Sequence, residues 1–137
     1  MVLVLDNSYA LAIAFDEPEA RVATRLVIRI AQEGAIVPAL WYWEFANGLA
    51  MALRYDRASR SDIEQQFADF ATLPISVDAE AQLIAWTVAV ELADRHRLTV
   101  YDAAYLELAI RRALPLATLD KALARAARAE GIEVIGG

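Results

Sequence analysis

The sequence predicts a three-layer α/β/α domain built on a mostly parallel, five-stranded sheet. Three observations point there. Short apolar runs at residues 2–5, 35–37, 73–77, 114–119 and 132–135 alternate with longer segments of helical periodicity. That alternation belongs to parallel strands joined by helical crossovers, with helices on both faces. The opening run, residues 2–5, is apolar at every position. A strand buried on both faces reads this way, whereas a half-exposed strand alternates. Finally, 137 residues with 58% hydrophobic content suffice for a real core in one domain spanning residues 1–137.

The elements follow in order. The first strand stops at Asp6, and helical spacing begins at once over residues 8–15. Two readings stand for Asp6. It caps that helix, as aspartate often does, or it is a ligand-binding carboxylate at the edge where open parallel sheets bind their ligands. A second helix starts at residues 16–19, with Pro18 suited to its first turn and acids at its positive end, and runs to about Gln32 before Gly34. Arg21, Arg25 and Arg29 line one of its faces, as a solvated stripe or a phosphate-tracking ridge. Pro38 closes the second strand. The helix over 39–55 sets Leu40, Trp43, Ala46, Leu49, Ala50 and Leu53 at the spacing of one helical face. Its early turns set Glu44 among Trp41, Tyr42, Trp43 and Phe45, where burial without a partner is costly. Asn47, three residues on, neighbours Glu44 on the helix surface.

Arg54, Arg57 and Arg60 surround a polar turn in which Ser59 or Ser61 caps the helix to Thr72. After the third strand, Asp78 is expected to cap a helix through Arg95, with Leu83, Trp86, Val90 and Ala93 inward and His96 at its negative end. Thr99 caps the next helix, over 102–113, and places Asp102 in its first turn. The fourth strand ends at Asp120, a last helix spans 121–130, and the fifth strand precedes the terminal glycines.

Composition narrows the chemistry. With no cysteine, a disulfide scaffold, a thiolate zinc site and a cysteine nucleophile are excluded. The single histidine, His96, rules out a histidine-rich metal site. A net charge of −6 argues against a general nucleic-acid coat protein, yet allows a nucleic-acid enzyme whose site carries cations. The charge-free stretch 34–43 is too short to span a bilayer and contains Pro38. The chain opens directly on a strand, unlike a signal peptide. The expectation is a cytoplasmic protein with no membrane partner.

Four acids occupy matching places. Asp6 and Asp120 end strands; Glu44 and Asp102 begin helices whose starts lie near the same edge of a parallel sheet. Four carboxylates make six repulsive pairs, each costing about 2 kcal/mol at roughly 7 Å and an effective dielectric of about 20. The sum, on the order of 10 kcal/mol, rivals the stability of a whole domain. Protonation or arginine pairing relieves part of it. Divalent cations relieve it most directly, and an all-oxygen site suits Mg²⁺ or Mn²⁺.

These residues resemble the PIN-domain nucleases, and in particular the VapC-type toxins of toxin–antitoxin pairs. Val4, Leu5, Asp6, Asn7 and Ser8 look like the family's first acid motif, and Trp43, Glu44, Phe45, Ala46 and Asn47 like its second. The run Tyr101, Asp102, Ala103, Ala104, Tyr105, Leu106, Glu107, Leu108, Ala109 is very similar to the third and is the most specific. Thr118, Leu119, Asp120, Lys121, Ala122 and Leu123 look like the fourth. Order, spacing and length match across essentially the whole chain. The resemblance implies a PIN-like fold and an Mg²⁺-dependent endoribonuclease, with Mn²⁺ as a substitute ion. Asp6, Glu44, Asp102 and Asp120 would hold the metal and carry catalysis. Ser8, Asn47 and Thr118 would orient the ligands. Activated water would cut RNA to leave a 5′-phosphate and a 3′-hydroxyl. The resemblance also implies a homodimer and a cognate antitoxin whose basic tail blocks the acidic groove.

Rival readings follow from the same residues. A phosphoaspartyl phosphatase using Asp6 wants a second acid two residues on, where Ser8 stands, and a receiver domain wants paired acids where Asn7 follows Asp6. A catalytically silent PIN-like binding module would keep the ligand residues without turnover.

Overall fold

In the computed structural model, which describes residues 1–15, 20–80 and 83–136, the five apolar runs form a single sheet. Its strands are β1 (Leu3–Leu5), β2 (Ala35–Val37), β3 (Ile75–Val77), β4 (Leu116–Ala117) and β5 (Val134–Ile135). The order is β3-β2-β1-β4-β5, and every pairing is parallel. The expected architecture is therefore present, with a sheet parallel throughout. Four of the five strands are shorter than their apolar runs, β2 being the exception. Pro74 and Pro115, at the starts of β3 and β4, lack a donor but still accept, from Ala35 at 3.0 Å and Val4 at 2.9 Å. β1 is central and wholly buried; β3, at the edge, is largely exposed.

Seven helices appear among the described residues: α1 (Asn7–Ala14), α2 (Ala20–Glu33), α3 (Leu40–Arg54), α4 (Arg60–Ala71), α5 (Leu83–His96), α6 (Val100–Arg112) and α7 (Lys121–Ala129). α1 packs on α2 and α3, while α6 packs on α5, α7, β1 and β4. The core between these layers includes Leu3, Leu5, Tyr9, Trp41, Leu49, Leu106, Leu116 and Leu123.

Local chemistry explains several boundaries. Ser59 and Asp62 form a reciprocal capping box on α4, with bonds of 2.8 and 3.1 Å. Thr99 caps α6 by accepting from the Asp102 N–H at 3.1 Å. Asp120 caps α7 by accepting from the Leu123 N–H at 2.9 Å. His96 ends α5 and meets Glu130, at the end of α7, at 2.7 Å. The expected start of the second helix, at residues 16–19, lies outside the described residues, as do residues 81–82, Gly137 and the side chains of Arg21 and Leu83.

Two expected faces are corrected. On α3, Trp43 is 80% exposed, and the buried stripe is Trp41, Phe45, Leu49 and Ala52. Trp41 stacks on Phe45 at 5.2 Å, and both rings meet Phe70 of α4. That aromatic contact rotates the helix away from the expected face, leaving Ala50 exposed and Leu40, Ala46 and Leu53 part-buried. On α5, Trp86 and Val90 are exposed, and Ala89 and Leu92 are buried as the helix packs on α6. Asp78 is a third correction: its carboxylate accepts from the Glu80 N–H and binds Arg111 of α6.

One close approach positions the site. A Cβ on Gly48 would lie 2.5 and 2.8 Å from the methyl carbons of Leu11. Glycine therefore lets α3 lie against α1, bringing Glu44, one turn earlier, toward Asp6. Gly48→Val is expected to destabilise the fold by about 1–3 kcal/mol through overpacking. Urea denaturation checks this; an unchanged midpoint would mean Leu11 yields freely.

Candidate acidic site at the carboxyl edge of the sheet

Asp6 leaves β1 at the edge where parallel strands end. It occupies the cap position of α1 but makes no side-chain cap bond. Its Oδ2 accepts instead from Ser8 Oγ at 2.6 Å and Thr118 Oγ1 at 2.7 Å. Those hydroxyls are fixed in turn, accepting from the backbone N–H groups of Leu119 and Asp120 at 3.0 Å each. Two hydroxyls thus fasten the end of β1 to the turn between β4 and α7. Asp6 is only 4% exposed. Burial pushes its carboxyl above the usual range; the Ser8, Thr118 and Asn7 hydrogen bonds oppose this, and the charge of Asp120 adds to it.

Glu44 is half-buried and accepts from the Tyr105 hydroxyl at 2.5 Å, a bond between α3 and α6. Burial raises this carboxyl too; Tyr105 pulls it down, and the charges of Asp6 and Asp102 push it further up. Asp102, in the first turn of α6, is raised by burial and then by Asp6 and Asp120, against the Thr99 hydrogen bond. Burial, followed by the bond to Glu44, holds the Tyr105 phenol well above its ordinary value. Tyr105 therefore stays a proton donor to Glu44.

The four predicted acids consequently act on one another across one rim. Among the described residues, none of the four is ion-paired to a basic side chain. Ser8 and Thr118 both touch Asp6. Asn47 stands exposed one turn beyond Glu44 and, among the described residues, bonds to none of the acids. Beside Asp6, the Asn7 amide oxygen is buried without a hydrogen-bond partner, so an acceptor is left over at this edge.

The donor set suits a hard divalent ion in chemistry: oxygen ligands, negative, mutually repelling. Among the described residues, no three acid or histidine side chains already converge tightly enough to grip an ion.

Tyr105 is a site residue that sequence reading missed, because its partner Glu44 lies 61 positions away. A second missed group is the clamp around Arg111. This side chain donates to Asp78 at 2.5 Å and to Glu107 at 2.7 Å, both acids being 6% exposed. Burial pushes Asp78 up, but Arg111 and the Glu80 N–H outweigh it and hold the carboxyl below its usual range.

Comparison with known proteins adds two findings. The PIN domain family matches residues 3–129. The crystal structure of PAE2754 from Pyrobaculum aerophilum aligns over 98% of this chain and 92% of that one, with a TM-score of 0.67 and 20% identity, a likeness of fold. No curated protein matches.

Asp6, Glu44 and Asp102 hold their protons more tightly folded than unfolded. The folded state then binds more protons above the unfolded value of about 4, so stability falls as pH rises from there through the raised values. Asp78 has the opposite sign, and its contribution is lost only as pH falls below about 4. In EDTA, the melting temperature should climb as pH drops from neutrality toward 5, and Asp6→Asn should flatten that slope. A slope unchanged in Asp6→Asn would show that folding does not raise this carboxyl.

Proposed function

Because the chain belongs to the PIN-domain family, a fold of metal-dependent nucleases, we propose that it is an Mg²⁺-dependent endoribonuclease acting as the toxin of a type II toxin–antitoxin pair. The observation that carries this reading is the set of four coupled carboxylates left without basic partners, while the other buried or part-buried acids among the described residues have them. Asp78 and Glu107 share Arg111; Glu130 has Arg95 and His96.

Asp6, Glu44, Asp102 and Asp120 are the residues that would hold Mg²⁺ or Mn²⁺. Once bound, such an ion ionises water at neutral pH and screens the phosphate charge. The chain's own groups do the positioning. Ser8 and Thr118 lock Asp6 through one oxygen. Tyr105 ties one oxygen of Glu44, and the α7 cap ties one oxygen of Asp120, leaving the second oxygen of each for ligation. Asn47, exposed beside Glu44, is available to orient water or phosphate. In the reaction, a water oxygen attacks phosphorus in line, the bond from phosphorus to the 3′ oxygen breaks, and that oxygen takes up a proton. The products are a 5′-phosphate and a 3′-hydroxyl.

The same reading assigns the partners. They are an RNA substrate, a second copy of the chain, and a cognate antitoxin whose basic tail suits a chain of net charge −6. We place the reaction in the cytoplasm; no helix among the described residues is long and apolar enough to cross a membrane. A phosphatase nucleophile is disfavoured at Asp6, which is 4% exposed with two hydroxyls on one oxygen. A silent binding module on this scaffold is the second reading, favoured by the spacing of the acids, too wide as they stand to grip an ion.

The test is cleavage of an end-labelled RNA pool in Mg²⁺ and in EDTA. Asp102→Ala should stay folded and lose about 100-fold or more in rate, the scale on which removing one transition-state charge stabiliser acts. Wild-type cleavage that survives EDTA would remove the metal from the account. A wild-type protein that binds RNA without cutting it would establish the silent module.

A further inference from the structure

Resting on the nuclease reading above, we propose that Trp43 and Tyr101 form a base-stacking pair that holds single-stranded RNA across the acidic rim. Each directly precedes one of the acids, Trp43 before Glu44 on α3 and Tyr101 before Asp102 on α6. Trp43 is 80% exposed and Tyr101 64%, whereas Trp41 on the same helix is 1% exposed. Helix α3 thus sorts its aromatics. One stripe builds the core with Phe70, and Trp43 is left in water beside a candidate ligand. Exposed aromatic surface grouped at a site marks a contact with something else.

Tyr101 lies one turn before Tyr105 on the same face of α6, and Tyr105 reaches α3 by donating to Glu44 at 2.5 Å. Trp43 lies one turn after Leu40, which lines an apolar groove of about 250 Å³ together with Trp86, Val100 and Ala104. In this proposal, a strand whose scissile phosphate sits among Asp6, Glu44, Asp102 and Asp120 brings a neighbouring base to each ring.

Charge explains why rings are needed here. Most nucleic-acid binders draw their affinity from phosphate contacts with basic side chains. This chain has a net charge of −6, and its rim carries four acids, so a metal ion offsets only part of the repulsion. Stacking is independent of charge and tolerant of sequence, and contributes roughly 5- to 150-fold in affinity per base. It also needs a base with an open face, which a paired and stacked duplex does not offer. The pair thus selects single strands and loops.

The experiment compares wild type with Trp43→Ala, Trp43→Phe, Tyr101→Ala and Tyr101→Phe. Cleavage kinetics are measured on a short unstructured RNA, alone and annealed to its complement. Fluorescence polarisation of a labelled copy in Ca²⁺ measures binding separately. The proposal expects preference for the single strand. It expects KM and binding to weaken by roughly 5- to 150-fold in each alanine variant, with kcat changing less, and recovery in each phenylalanine variant. Unchanged KM and binding in both alanine variants would overturn it, as would equal cutting of the duplex. So would variants that turn a dimer into monomers without altering KM, since this face would then join two copies. If wild type cuts no RNA, the nuclease reading fails, and polarisation alone decides. Binding that is lost with either ring supports the pair, and absence of wild-type binding overturns it.

Discussion

The hydrogen bond from Thr118 to Asp6, 2.7 Å long between residues 112 positions apart, fixes the geometry on which the site depends. Parallel pairing sends the ends of all five strands to one edge. Thr118 and Ser8 then lock the end of β1 to the end of β4. The carboxylate so fixed is almost wholly buried and does no capping. The tie comes with a penalty: burial disfavours the carboxylate's charge, and the hydroxyl bonds offset only part of that. Its placement makes sense as preparation for a ligand of opposite charge.

Among the described residues, the acids that are not fully in solvent fall into two groups. Those away from the rim are matched to basic groups, as is Glu33 at the surface. Asp78 and Glu107 share Arg111, Glu130 joins Arg95 and His96, and Glu33 meets Arg29 and the chain's amino group. Those at the rim have only hydroxyls, backbone N–H groups and one another. Breaking a buried charge pair is costly because the remaining charge is stranded, so the Arg111 clamp ties the end of α6 to Asp78 beyond β3. Stability is supplied in one place and surrendered in another, as sites that need strained or repelling groups require.

Much of this was legible from residue order, for identifiable reasons. The unbroken apolar run before Asp6 marks a strand end because a doubly buried strand admits no polar residue. Thr99 three positions before Asp102 marks a helix start by the geometry of capping. Asp120 behaves both as a cap and as a member of the rim. The α3 face was not legible: aromatic residues at 41, 42, 43 and 45 leave no polar side to orient the helix, and contact with Phe70, 25 positions beyond Phe45, decides it. The exposure of Trp86 and Val90 escaped for the same reason, since α5 is apolar over most of its surface. Arg111 beside Arg112 looks like ordinary charge at a helix end, and nothing near it in sequence announces Asp78.

The central claim is that Asp6, Glu44, Asp102 and Asp120 are held near one another to receive a divalent cation. Crystals grown with Mn²⁺ and measured at the manganese absorption edge test this directly. The account predicts an anomalous peak at the rim, within coordination distance of Asp6 and at least one of the other three acids. A clean map with no peak there, or a peak only at carboxylates elsewhere on the surface, would contradict it.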